Sequence, residues 1–108
     1  MSKRIKDHAF LLKHLSKAKP SAAKSIIKTC DKDLMNVFCE CALNVLKGNV
    51  PLNKNQKQRL SVHKTSLRAL TNKKHSLKKK KALLQKGGFL SALLGPIIGI
   101  LSGLFGHS

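Results

Sequence analysis

Residues Lys73 to Phe105 read KKHSLKKKKALLQKGGFLSALLGPIIGILSGLF. The first half of this stretch is almost wholly positive, and the second half carries no charge. Gly87 and Gly88 stand between them. The two halves ask for different surroundings. Clustered lysines attract phosphate, whereas an uncharged aliphatic run gains free energy by leaving water. The first seventy residues, by contrast, read as a small helical body to which this stretch is attached.

The charge along the chain sharpens that split. The 108 residues carry a net charge of +18. Residues 1–40 hold nine Lys/Arg and all four acids (Asp7, Asp31, Asp33 and Glu40), a net of +5. Residues 41–86 hold thirteen Lys/Arg and no acid, and residues 87–108 hold neither sign. Surface acids normally intersperse with bases and limit self-repulsion. Their absence beyond Glu40 implies an anionic partner, either nucleic acid or an anionic membrane face. A chain of this length makes one domain with a short extension, and it is too small for a deep catalytic cleft.

No enzyme constellation is visible. His8, His14, His63, His75 and His107 are scattered, nucleophile motifs around Ser or Cys are absent, and the lone Gly87-Gly88 pair makes no phosphate-binding loop. The expectation is a protein that is not an enzyme and uses no cofactor or metal. Cys30, Cys39 and Cys41 form no even disulfide set, and Cys39-x-Cys41 lacks zinc-site spacing. They read as small packing residues in a reducing compartment. The N-terminal segment MSKRIKDHAFLLKHLSKAK supplies no uninterrupted apolar core for a signal peptide.

Helical periodicity runs through the first half. Ile5, Ala9, Leu12 and Leu15, widened by Phe10 and Leu11, predict a helix over 3–18. Pro20 begins a second one, bearing Ala22, Ala23, Ile26 and Ile27 and ending near Cys30. Asp31 or Asp33 can cap a third, with Leu34, Phe38, Cys41, Ala42 and Val45 on one face and Gly48 as its stop. These three predict a closed bundle with Leu12, Leu15, Ile26, Ile27, Leu34, Phe38, Cys41 and Val45 as core. Asn53 caps a fourth helix through about Leu70, and Ser76 a fifth to Lys86. A continuous heptad seam through Leu60, Leu67, Leu70, Leu77 and Leu84 would place His63, Lys74 and Lys81 in apolar slots, so two helices are preferred.

The basic segment is rich in lysine, a point charge without the planar fork that reads guanine. No aromatic lies between Phe38 and Phe89 to stack on single-stranded bases. Both features predict salt-sensitive contact with a duplex backbone, indifferent to sequence. The bland reading is a solvated helix face or a nuclear import signal. The apolar run, Phe89 to Phe105, has seventeen uncharged residues, short of the ~20 that span a bilayer. Ser91, Gly95, Gly99 and Gly103 recur every fourth position in a smooth stripe that suits close helix approach in lipid. Three fates are open to it: membrane insertion or disruption, packing against another protein, and folding back onto the body.

The run from Lys86-Gly87-Gly88 through Phe89-Leu90-Ser91-Ala92-Leu93-Leu94-Gly95-Pro96-Ile97-Ile98-Gly99 resembles the adenovirus core protein X precursors, the source of the mu peptide. There too a basic tract meets Gly-Gly and then an aliphatic segment with Pro and Gly. The stretches Lys47-Gly48-Asn49-Val50-Pro51-Leu52, Arg59-Leu60-Ser61-Val62-His63-Lys64 and Ser76-Leu77-Lys78-Lys79-Lys80 resemble the small basic proteins of Polinton (Maverick) elements and adintoviruses. The resemblance implies a virion-associated protein that binds packaged double-stranded DNA, located in the virion and the host nucleus. It also implies maturation cleavage after Gly87-Gly88. In that family the protease prefers Met, Ile or Leu two residues before the pair, a place held here by Gln85.

The expected architecture is all-α: a helical bundle (1–50), a basic helical arm (51–86) and a glycine-rich apolar tail (87–108). The DNA-binding candidates are Lys54, Lys57, Arg59, Lys64, Arg68, Lys73, Lys74, Lys78, Lys79, Lys80, Lys81 and Lys86. The tail candidates are Phe89, Leu90, Leu93, Leu94, Gly95, Pro96, Ile97, Ile98, Gly99, Ile100, Leu101, Gly103, Leu104 and Phe105. Through them the tail would meet capsid proteins, an anionic membrane or its own copies. A membrane-active peptide precursor and a host nuclear nucleic-acid-binding protein are the rival readings.

Overall fold

Ser2 opens the first helix by accepting the Ile5 amide proton on its hydroxyl at 3.2 Å, and α1 runs Lys3–Asp7. A computed structural model describes residues 2–87 and 89–102, without the side chains of 86 and 87. Gly88, the side chain of Lys86, and Gly103, Leu104 and Phe105 therefore lie outside the described residues. The helix expected over 3–18 breaks at His8, whose Nδ1–H donates to the Arg4 carbonyl at 2.8 Å, and α2 continues over Ala9–Lys17. Pro20 is the first residue of α3 (Pro20–Thr29), where a missing N–H leaves no helical bond unmade. Of the two capping candidates Asp31 is the one used. Its Oδ1 accepts the Leu34 amide at 2.8 Å and starts α4 (Lys32–Leu46). Gly48, at φ 76°, then turns the chain away in the left-handed region.

Asn53 and Gln56 close a reciprocal cap on α5 (Lys54–Ser61), each side chain accepting the other's amide, at 2.8 and 3.0 Å. The sequence predicts one helix on to Leu70. Instead the chain turns at Val62 and His63, and α6 covers Lys64–Leu70. The break lets α5 lie on the helix Leu90–Leu101 while α6 lies on α4. The turn after α6 is fixed by Asn72, whose Oδ1 accepts the Lys74 amide at 2.9 Å, and by His75, whose Nδ1–H donates to the Ala69 carbonyl at 2.8 Å. Ser76 then caps α7 (Leu77–Gly87) by accepting the Lys79 amide. Two helices here, and no continuous seam, agree with the sequence reading.

Among the described residues the last helix is α8 (Leu90–Leu101). It packs on α2, α4 and α5, and meets α7 across a 95° bend. Leu90, Ala92, Leu93, Leu94, Pro96, Ile97 and Leu101 are buried on it, and Phe89 just before it is fully buried beside the His63 ring. Leu12, Leu15, Ile27, Leu34, Phe38, Cys41 and Val45 are core residues as predicted, while Ile26 is only partly covered. The first three predicted helices do not close a core by themselves, because α8 occupies the space against α2. The radius of gyration, 12.9 Å, is the ~13 Å of a fully collapsed chain of this length.

On α8 the stripe of Ser91, Gly95 and Gly99 points outward. Ser91, Gly95 and Gly99 are exposed, and a Cβ built on either glycine meets nothing within 4 Å. Glycine in a helix interior gives up about 0.8–1.0 kcal/mol relative to alanine. Gly99→Ala is therefore expected to raise stability by about that amount, read as a higher urea midpoint. Gly95 precedes Pro96, whose ring disfavours a Cβ on a helical residue before it, so the same change there gains less. A fall at Gly99 would mean that its surface is covered.

Candidate nucleic-acid interface

Asp31, Asp33 and Glu40 lie on α4 and its cap. Asp33 lies 3.6 Å from both Arg4 Nε and His8 Nε2, and Glu40 accepts from Arg4 at 3.3 Å and from the Ser2 hydroxyl at 2.7 Å. With Asp31 capping α4, three of the four acids are engaged along α1 and α4. Such exposed pairs contribute less than about 1 kcal/mol each to stability. Helices α5, α6 and α7 carry no negative side chain.

Lys54, Lys57, Arg59, Lys64, Arg68, Lys73, Lys74, Lys78 and Lys79 are exposed. Some of them converge. Lys73 and His75 from the turn, Ser76 and Lys80 around the start of α7, and Lys32 and Asn36 from α4 line an open cleft of about 560 Å³. No carboxylate lines it. Exposed Lys74, Lys78 and Lys79 belong to the same turn and the first turn of α7. Lys57 and Lys64 face a different hollow, at the other end of α4. Arg59 and Arg68 are exposed on α5 and α6 and line neither cleft.

Two candidate lysines have structural work as well. Lys81 Nζ donates to the Lys28 carbonyl at 3.0 Å, placing a positive charge on the C-terminal turn of α3, where unpaired carbonyls and the helix dipole favour it. Lys80 Nζ lies 3.6 Å from Cys39 Sγ, and the Cys39 thiol donates to the Leu70 carbonyl at 3.3 Å. Both lysines are half-buried. They tie α7 to α3 and α4, with Gln85 adding a 3.5 Å bond to the Lys24 carbonyl.

No family model, curated protein or solved structure matches this chain. The site is therefore read from charge and geometry. Sequence reasoning missed Lys32 in the cleft, since it sits next to the Asp31 cap in the part of the chain read as body. Only the packing of α7 across α4 brings it to Lys73 and Lys80. Among the described residues no group of three His, Cys, Asp or Glu side chains is close enough to hold a metal.

The thiols behave as packing groups. Burial raises all three above the ordinary value, Cys41 to about 12, with the charge of Glu40 adding to it, while Lys80 draws Cys39 partly back. A thiol raised in the folded state keeps its proton after the unfolded chain has lost it. Stability is thus expected to fall as pH rises from about 9 towards about 12. At neutral pH Ellman's reagent should label half-exposed Cys39 while fully buried Cys41 stays silent until the chain unfolds. Labelling of Cys41 in the folded chain would contradict its burial.

Proposed function

We propose that this protein is a non-enzymatic minor core protein of a Polinton-type virion, binding packaged double-stranded DNA through phosphates without reading its sequence. The observation that carries the reading is the convergence of Lys32, Lys73 and Lys80 on one cleft free of carboxylates, flanked by exposed Lys74, Lys78 and Lys79. Lysine heads on a rigid helical frame suit repeated phosphate contact and release of counterions. The protein acts in the virion and in the host nucleus. The layout of bundle, arm and tail is that of a second state, in which the segment from Phe89 onward leaves the body and meets capsid protein, membrane or another copy. The outward stripe of Ser91, Gly95 and Gly99 supports that part.

The test is the affinity of the full chain for unrelated duplexes across a salt series. A steep loss with salt, equal for all sequences, supports phosphate binding. Strong preference for one sequence, or weak binding near physiological salt, overturns it.

A membrane-active precursor is the second reading. Among the described residues no single helix is long and apolar enough to cross a membrane. The pair Leu77–Gln85 and Leu90–Leu101 has the joint length and composition, bent at 95°. That reading predicts leakage of anionic vesicles that survives excess DNA. A host nuclear nucleic-acid-binding protein would share the lysine cleft and lack any association with particles.

A further inference from the structure

The end of α4 remote from the lysine cleft is hollowed, and the hollows have mainly apolar walls. Val45, Leu52, Leu60 and Leu67 line an open groove of about 270 Å³, with Lys57 and Lys64 also in its lining. A second hollow, about 410 Å³, shares Val45, Leu52 and Lys57 with the first and extends it past Pro51. Gly48 borders both, and a Cβ there would meet nothing within 4 Å. Leu43, 40% exposed, lies one turn before Leu46 and prolongs the apolar face of α4.

The chemistry of these walls selects an occupant. A DNA backbone gains nothing from leucine. A second copy of this chain brings a charge of +18 against +18. The surface offers two adjoining apolar hollows with lysines and no carboxylate among their lining residues. Its complement is a segment carrying both bulky apolar side chains and acids. We propose that this groove docks an acidic amphipathic helix of another protein, which places two apolar side chains a turn apart into the two hollows and its carboxylates against Lys57 and Lys64. Asn36 in the lysine cleft and Val45 in the groove are about 13 Å apart along α4, so one helix carries a phosphate-facing end and a protein-facing end. Docking here does not depend on whether the lysine cleft binds DNA.

The experiment titrates the full chain into a short fluorescein-labelled glutamate peptide bearing two leucines one helical turn apart. A glutamate peptide of the same charge with serines in their place is the comparison. The leucine peptide is expected to bind about tenfold tighter or better, the effect of burying one or two leucines. Leu52→Glu is expected to abolish that difference, and Val62→Glu, exposed and outside the groove, to leave it intact. Should Leu52→Glu fail to fold, amide shifts in the wild type give the answer. Changes centred on residues 45–67 support the groove, and changes centred on 73–80 overturn it. Equal binding of the two peptides overturns it as well, as does displacement of the leucine peptide by sodium laurate at lower concentration than by its unlabelled form.

Discussion

Leu93→Ala is expected to lower folding stability by about 2–5 kcal/mol, read as a large fall in the urea midpoint. Leu93 is fully buried on α8, the helix that packs on α2, α4 and α5. Truncation removes its transfer free energy and leaves a cavity that rigid neighbours fill only in part. A domain of this size holds about 5–15 kcal/mol in total, so the variant loses a large share of it. An unchanged midpoint would mean that α8 hangs free of the body, and the central placement of the helix would be wrong. The same packing dictates how DNA binding should be measured. A chain ending at Lys86 lacks Phe89, Leu93, Leu94 and Ile97, all fully buried, and would be a damaged fold rather than an isolated DNA-binding part.

Replacing Lys73, Lys74, Lys78 and Lys79 together by alanine is expected to weaken duplex binding on every sequence alike. It should also flatten the slope of log affinity against log salt by up to about 0.9 for each phosphate that is no longer neutralised. All four are exposed, so stability should hardly move. Lys81→Ala should behave in the opposite way. Lys81 lies outside the cleft and donates to the Lys28 carbonyl, and removing that bond should cost about 0.5–1.5 kcal/mol with a smaller change in slope. If the exposed four change stability and Lys81 carries the salt dependence, the assignment of lysines to DNA is reversed.

Much of the fold is legible in the sequence because its signals are local. Pro20, Asp31, Gly48, Asn53 and Ser76 each mark a helix boundary through chemistry within a few residues, and the structure uses each of them there. The breaks at His8 and Val62–His63 are not legible. No proline or glycine stands at either, and the second break lets α5 and α6 lie on different partners. The place of α8 is likewise tertiary. An uncharged helix beside a lysine tract satisfies the pattern of a membrane segment and that of a core helix equally. The choice rests on whether α2, α4 and α5 present a matching apolar surface. The cleft was half visible: Lys73 and Lys80 lie in an obvious basic run, whereas Lys32 joins them only through packing across α4.

The way α8 is held bears on any processing between α7 and α8. Its grip comes from side chains on three helices earlier in the chain, not from the peptide bond that precedes it. A cut there would yield a nicked molecule whose two pieces remain one fold, as in fragment complementation. What had been an internal helix would become a bound ligand, and its retention would obey mass action. Crowded together, the pieces would stay assembled; diluted, the apolar piece would depart.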